Sequence, residues 1–189
     1  MKIICRYALK NSKILPRRKI RVEGIIFSLE KSVTGSATAV ANRLDGALSD
    51  RAYHYVCGEG IVYALAHPTR FAAHSGGTAD ERYIGAALVL PAAKSDEKNC
   101  PYAVYRRSEA DIRTGNVFGT AVELAADLCR RFGLDPCADG VILTRKEAAE
   151  RGIAAKGESP EEVFDASGGK YSAEKLRNEI GRRLAALCG

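Results

Sequence analysis

Residues 83–90 of the chain read Tyr-Ile-Gly-Ala-Ala-Leu-Val-Leu, an apolar run without a single charge. Residues 24–29, Gly-Ile-Ile-Phe-Ser-Leu, form a second run of this kind. Short continuous apolar runs are typical of strands that are buried on both faces of a sheet. We therefore predict two buried strands, with residues 83–90 at the centre of the sheet.

Strand and helix patterns alternate along the rest of the chain. Apolar residues recur at helical spacing between Val117 and Phe132, and Gly133 predicts the end of that helix. The Gly-Glu-Gly sequence at 58–60 predicts a hairpin turn. The predicted elements are strands at 24–29, 52–57, 61–66, 83–90 and 140–144, and helices at 37–48 with Ser36 as N-cap, at 117–132, at 146–151, from Pro160 and from Ser172.

This alternation predicts an α/β fold in which a mixed central β-sheet is flanked by helices. The length of 189 residues fits a single domain, spanning residues 1–189. Residues 1–22 are expected to be a basic, irregular N-terminal segment, and residues 170–189 a C-terminal helix. Residues 91–101 are expected to be a polar loop.

The composition favours an ordinary globular protein. At 46% hydrophobic and 28% charged residues, it excludes a collagen-like, disordered or coiled-coil chain. With neither a membrane-length apolar run nor a signal peptide, we expect no membrane partner and a cytoplasmic location, in the host cell if a phage encodes the protein. The net charge of +6 (29 basic minus 23 acidic residues) suits an anionic partner. The six cysteines form no Cys-x-x-Cys pair and are expected to be reduced.

Several segments together resemble a known family. Residues 52–58 read AYHYVCG, residues 71–76 FAAHSG, residues 83–88 YIGAAL and residues 152–161 GIAAKGESPE. In this order they resemble the motifs HYVVG, AWHAG, SIGIEL and GIASNHGDPE of the type-2 N-acetylmuramoyl-L-alanine amidases, the family that includes the peptidoglycan recognition proteins. The clostridial and phage branch looks most similar, and the resemblance covers nearly the whole chain.

The resemblance implies zinc-dependent hydrolysis of the amide between N-acetylmuramic acid and L-alanine, with the zinc held by two His and one Asp, Cys or His. The positions that match these ligands hold Ser28, Thr144 and Ser159 instead. Two further matching positions, of a Glu and a His in the motifs, hold Ala87 and Gly157. Because neutral hydroxyls are poor zinc ligands, we predict a degenerate member of the family without zinc, another cofactor or catalytic residues.

The groove that would hold substrate in the family is predicted to bind a ligand here. The predicted ligand-binding residues are Ser28, Tyr53, His54, His74, Thr144, Arg145, Lys156 and Ser159. Alternatively, His54 is a satisfied strand histidine, His74 an exposed loop residue and Lys156 a surface lysine. A replacement metal site from His54, His67 and His74 is a further alternative, although their spacings of 13 and 7 residues match no known zinc pattern.

Three classes of function follow. The first is a non-catalytic protein that binds and sequesters a small, anionic molecule. That molecule is either a nucleotide-type signal or a muropeptide. If a phage encodes the protein, sequestration of a nucleotide-type signal would be an anti-defence role. The second is a peptidoglycan-degrading amidase with a non-standard active site, for which the available groups are Tyr53, His54, Cys57, Glu59 and His74. The third is a structural or inhibitory protein. Nucleic acid is not expected as a partner, and the sequence does not indicate an oligomeric state.

Overall fold

The computed structural model describes residues 1–6, 18–32, 35–45, 51–91 and 103–189. Six strands, five α-helices and one short 3-10 helix (Thr78–Glu81) lie in these residues. The strands are β1 (Lys2–Cys5), β2 (Gly24–Ser32), β3 (Tyr55–Cys57), β4 (Ile61–Ala64), β5 (Tyr83–Pro91) and β6 (Ile142–Thr144). The helices are α1 (Ala37–Leu44), α2 (Ala103–Phe132), α3 (Arg145–Glu150), α4 (Glu161–Ala166) and α5 (Ala173–Cys188).

The strands form one mixed sheet in the order β1-β4-β3-β5-β2-β6. Strands β2 and β5 pair in parallel along their whole length, from Gly24 opposite Tyr83 to Ser32 opposite Pro91. Only β3 and β4 are antiparallel among these strands, and the predicted turn at residues 58–60 joins them. The predicted α/β fold, with a mixed central sheet flanked by helices, is confirmed.

One face of the sheet is covered by α2 and α5, and we call it the α2/α5 face. Odd-numbered residues of β2, such as Ile25 and Phe27, point to this face and are fully buried. They pack in one cluster with Leu128 of α2 and Ile180 of α5. Burial of apolar side chains contributes roughly 25 cal/mol per Å², so this cluster stabilises the packing of α2 and α5 against the sheet.

The opposite face carries α1, and we call it the α1 face. Ser36 caps α1 by accepting a hydrogen bond from the Ala39 N–H, as predicted. The helix buries Val40 and Ala41 in a smaller apolar cluster that also contains Ala87 of β5. Between this cluster and α3 the face is polar, and this is where the predicted site residues lie.

Most strand and helix ends differ from the prediction by one to three residues, and two elements differ more. Strand β1 lies within residues 1–22, for which no regular element is predicted, because its four residues sit at an exposed sheet edge and show no apolar alternation. Helix α2 begins at Ala103 instead of near Val117, since its first turns are polar. Residues 46–48 of the predicted first helix and residues 92–101 of the predicted polar loop lie outside the described residues.

Within the described part of the chain, no helix combines the length and the apolar character that a membrane-crossing helix requires.

Candidate functional site

The ring of His74 is the centre of a polar cluster on the α1 face. We call this cluster the polar site and define it as Tyr53, His54, His74, Asp80 and Arg145. The rings of Tyr53 and His54 lie 6.4 and 5.9 Å from the His74 ring, centroid to centroid. All five residues are at most 5% exposed. The fold therefore brings four of the predicted ligand-binding residues together, and Asp80 joins them.

Backbone contacts hold His74 in place. Its Nε2 donates to the Tyr83 carbonyl at 3.1 Å, and its ring packs against the backbone of Gly85. A Cβ atom at position 85 would lie 2.3 Å from Cγ of His74, so the strand needs glycine there. Burial lowers the pKa of His74 to about 4, and Asp80 opposes this shift. The interpretation of His74 as an exposed loop residue is wrong, because the side chain is 1% exposed.

Asp80 organises the loop that carries His74. One carboxylate oxygen accepts hydrogen bonds from the backbone N–H of His74 at 3.1 Å and of Ser75 at 2.6 Å. The same oxygen accepts from the Ser75 hydroxyl at 2.5 Å, and the other accepts from the Gly76 N–H at 3.0 Å. This buried carboxylate satisfies donors that would otherwise be orphaned inside the protein. The sequence analysis did not single out Asp80.

His54 is fully buried and has both ring nitrogens occupied. Nε2 donates to the Arg70 carbonyl at 2.7 Å, and Nδ1 accepts from the Gly85 N–H at 2.9 Å. Burial lowers its pKa to about 3, and His74 adds to the shift. This geometry is that of the satisfied histidine that the sequence left open as an alternative. A ligand would reach the imidazole only by breaking one of these two hydrogen bonds.

Tyr53 is buried and points to Glu30 of β2. Its hydroxyl donates to Oε1 of Glu30 at 3.1 Å, and burial raises the pKa of Tyr53 to about 12. Nη2 of Arg43 lies 2.5 Å from the other Glu30 oxygen, and Nη1 of Arg51 lies 3.9 Å from Oε1. Glu30 is 7% exposed and was not selected from the sequence. The signal in the sequence that could have selected Glu30 is a charged residue directly after the apolar run at residues 24–29.

Arg145 is the buried cation of the polar site. It opens α3, and its side chain runs back towards the loop at residues 153–157. Nε donates to the Ala155 carbonyl at 2.8 Å and Nη1 to the His74 carbonyl at 2.7 Å. Burial lowers the pKa of Arg145, and Tyr53 opposes this shift. The guanidinium therefore ties two loops together through their backbone carbonyls.

Thr144 and Ser159 share one carboxylate. Both hydroxyls donate short hydrogen bonds to Glu161, one to each carboxylate oxygen. Thr144 also caps α3 by accepting from the Glu147 N–H at 3.3 Å, and Ser159 accepts from the Lys146 N–H at 3.0 Å. We call this group the Glu161 knot. It occupies two of the three positions that resemble zinc ligands.

The third such position, Ser28, lies on β2 beside Ala87 of β5. It is 2% exposed. Within the described residues its hydroxyl makes no hydrogen bond, and the same holds for Nδ1 of His74. Lys156, in contrast, is exposed in the loop after α3. Ser28, Thr144, Ser159 and Lys156 thus lie around the polar site rather than at its centre.

These residues do not fit a zinc ion of the family type. The three matching positions supply neutral hydroxyls, and two of the three already bond to Glu161. Of the alternative set, His54 has no free lone pair, and His67 bonds Thr69 at 2.8 Å. Among the described residues, no group of three His, Cys, Asp or Glu side chains is arranged to hold a metal.

Three of the five groups named for a non-standard enzyme, Tyr53, His54 and His74, lie in the polar site. The other two do not join them. Cys57 is buried in the apolar cluster of the α2/α5 face, and burial raises its pKa to about 12. Glu59 lies in the β3–β4 turn, where Asn116 of α2 donates to it at 3.2 Å. Within the described residues, neither Cys57 nor Glu59 forms a hydrogen bond with a residue of the polar site.

Solved structures with the same architecture exist. The hydrolase AmiA of Staphylococcus aureus matches with a TM-score of 0.75 and 14% identity, over 100% of this chain and 86% of that one. This chain has the fold of AmiA. A mutant endolysin from Bacillus subtilis matches with a TM-score of 0.68 and 14% identity, over 96% of this chain and 100% of that one. The N-acetylmuramoyl-L-alanine amidase LysC from Clostridium intestinale matches with a TM-score of 0.51 and 14% identity, over 90% of this chain and 99% of that one.

Sequence comparisons found no relative beside these structural matches. No protein-family model matches the sequence, and no curated protein matches it either. At identities near 14%, the likeness to the three structures establishes the fold alone.

Proposed function

We propose that this protein binds a small anionic ligand in the groove of an amidase-like fold and does not hydrolyse it. The observation that carries the proposal is the donor set at the three positions that resemble zinc ligands. Ser28, Thr144 and Ser159 offer hydroxyls, and the Glu161 knot engages two of them. Without a metal to polarise a carbonyl and activate water, the family reaction loses its main source of rate enhancement.

The charge of the region supports an anionic ligand. Arg145 places a buried positive charge behind the loop at residues 153–157, and Lys156 adds an exposed one in that loop. The net charge of +6 acts in the same direction. Muropeptides and nucleotide-type signals both present anionic oxygens, so both are ligands of this class. If the ligand is a nucleotide-type signal, the cellular role of the protein would be to sequester it.

Two assays on the purified 189-residue chain test this proposal. The first incubates it with peptidoglycan and with a muropeptide, with and without added zinc chloride, and follows release of the stem peptide by mass spectrometry. We expect no release under either condition. The second measures binding of the muropeptide and of a cyclic dinucleotide by calorimetry, and we expect one of them to bind.

Zinc-dependent release of the stem peptide, abolished by a chelator, would contradict the proposal and restore the amidase hypothesis. Absence of binding to both probes would also contradict it, because the groove would then hold neither ligand type that the charge favours.

A further inference from the structure

The guanidinium of Arg145 is a buried charge that no carboxylate of the described residues contacts, and Asp80 acts on it only at longer range. The side chain is 5% exposed. Within the described residues it forms no ion pair with a carboxylate at 4 Å or less, and its two hydrogen bonds go to neutral carbonyls. A buried charge is costly unless it is paired, and several kcal/mol per ion is typical after relaxation. An anion that binds beside Arg145 would remove this cost.

One end of the guanidinium is available for such an anion. Nε and Nη1 each donate to a carbonyl, whereas Nη2 makes no hydrogen bond within the described part of the chain. The buried side-chain atoms without a partner in that part are Ser28 Oγ and His74 Nδ1. Nη2 is not one of them, so this atom keeps some accessible surface although Arg145 as a whole is buried. Two N–H groups of a rigidly held guanidinium therefore remain unused.

Gly157 lies directly over this end. A Cβ atom built at position 157 would lie 3.1 Å from Nε and 3.3 Å from Nη2 of Arg145. Gly157 does not have a positive φ, so its backbone does not require glycine. The residue is also exposed. The Gly157 backbone therefore packs closely against the guanidinium, and a side chain at this position would crowd Nε and Nη2.

We propose that Arg145 is the residue that recognises the ligand, by donating from Nη2 to an anionic carboxylate or phosphoryl oxygen that approaches across Gly157. This inference rests on the proposed function and names the group that carries it. Charge-assisted hydrogen bonds of guanidinium to carboxylate or phosphate are about twice as strong as neutral ones. Lys156, exposed in the same loop, supplies a second positive charge at the entrance.

The test uses calorimetry of the full chain with two probes, N-acetylmuramyl-L-alanyl-D-isoglutamine for a carboxylate and cyclic di-AMP for a phosphoryl group. Gly157→Val covers Nη2 without removing a charge, and we expect the dissociation constant of the probe that binds to rise more than tenfold. Gly157→Ala should give a smaller, several-fold rise. Gly119→Ala is the matched control, because Gly119 is exposed on α2 and has open space around its Cβ position. This variant should bind the probe with the affinity of the parent.

Two charge variants complete the test. Arg145→Lys keeps the charge but loses the planar donor group, so we expect at least a tenfold loss of affinity. Thermal unfolding of this variant shows whether it still folds, and Gly157→Val addresses the same contact if it does not. Lys156→Glu should weaken binding about tenfold, whereas Lys2→Glu, the same charge change at the far sheet edge, should have no effect.

The outcomes separate the two proposals. If a probe binds the parent and Gly157→Val and Arg145→Lys bind it equally well, Arg145 is not the recognising residue, while the proposed function stands. If neither probe binds the parent, both proposals are contradicted. Which probe binds decides between the carboxylate and the phosphoryl source.

Discussion

The two faces of the sheet are held together in different ways. On the α2/α5 face, Phe27, Leu128 and Ile180 belong to one continuous apolar cluster. On the α1 face, His54, Asp80 and Arg145 are just as deeply buried, but each is fixed by hydrogen bonds with defined partners. Apolar packing depends on volume and tolerates exchange of shape, whereas a buried polar group depends on each individual partner. The α1 face should therefore respond to substitutions that the α2/α5 face accepts.

The largest effect is expected from Asp80→Ala. The substitution leaves three backbone N–H groups and the Ser75 hydroxyl without their acceptor, and each buried unsatisfied group costs about 1–3 kcal/mol. Allowing for relaxation of the loop, we expect a loss of about 3–5 kcal/mol in the free energy of unfolding, measured in urea. Asp80→Asn retains one acceptor oxygen and should lose about half of this. A loss below about 1 kcal/mol in Asp80→Ala would show that the loop is not held by this carboxylate.

Acid should weaken the α1 face through its two histidines. Their pKa values of about 3 for His54 and about 4 for His74 lie below the usual value near 6.5, so the folded protein keeps both neutral while the unfolded chain binds protons. Stability is therefore complete above about pH 6.5 and falls as the pH drops towards 4 and then 3, by up to about 1.4 kcal/mol per pH unit for each histidine.

Urea unfolding between pH 7 and pH 5 measures this dependence before most carboxylates titrate. His54→Gln can retain both hydrogen bonds of the imidazole and should have about half the slope of the parent. An unchanged free energy of unfolding across this range would contradict the description of the histidines as buried and neutral.

Tyr53→Phe removes one hydrogen bond from the α1 face. The hydroxyl donates to the buried carboxylate of Glu30, and hydrogen bonds to charged groups contribute about 1.5–3 kcal/mol. Tyr83→Phe is the matched control, since that hydroxyl donates to the neutral carbonyl of Gly140 at 3.0 Å and should cost about 1 kcal/mol. Equal losses of unfolding free energy in the two variants would show that the hydrogen bond to Glu30 contributes no more than one to a backbone carbonyl.

The smallest effect is expected on the α2/α5 face. Leu128→Met conserves the side-chain volume in a close-packed apolar cluster and should cost less than about 1.5 kcal/mol. Asp80→Asn is as conservative in shape, and we expect it to cost more. The reverse order, again from urea unfolding, would remove the distinction between the two faces.

This distinction also explains what could be predicted from the sequence. The strands at residues 24–29 and 83–90 and the helix that contains Val117 and Phe132 follow from apolar runs and periodicity, which report burial against other apolar groups. Strand β1 has no such pattern, because it lies exposed at the sheet edge and its pairing with β4 is made by backbone groups.

The polar site could be predicted only in part. The resemblance to amidases selected Tyr53, His54, His74 and Arg145, which the fold brings together. It could not select Asp80, Glu30 or Glu161, because their roles arise from contacts between segments far apart in the chain or within a loop. Nor does residue type tell whether a histidine is exposed: His74 is buried because Gly85, on a neighbouring segment, leaves room for its ring.

We propose that the groove is an anion site and not a zinc site. Native mass spectrometry of the freshly purified full chain, with exposed thiols blocked by iodoacetamide and one equivalent of zinc chloride added before desalting, tests it most directly. We predict a chain mass without zinc and, where the natural ligand survives purification, with one small anionic adduct. A peak with one zinc ion per chain would contradict the account, since the hydroxyls of Ser28, Thr144 and Ser159 would then not explain the site.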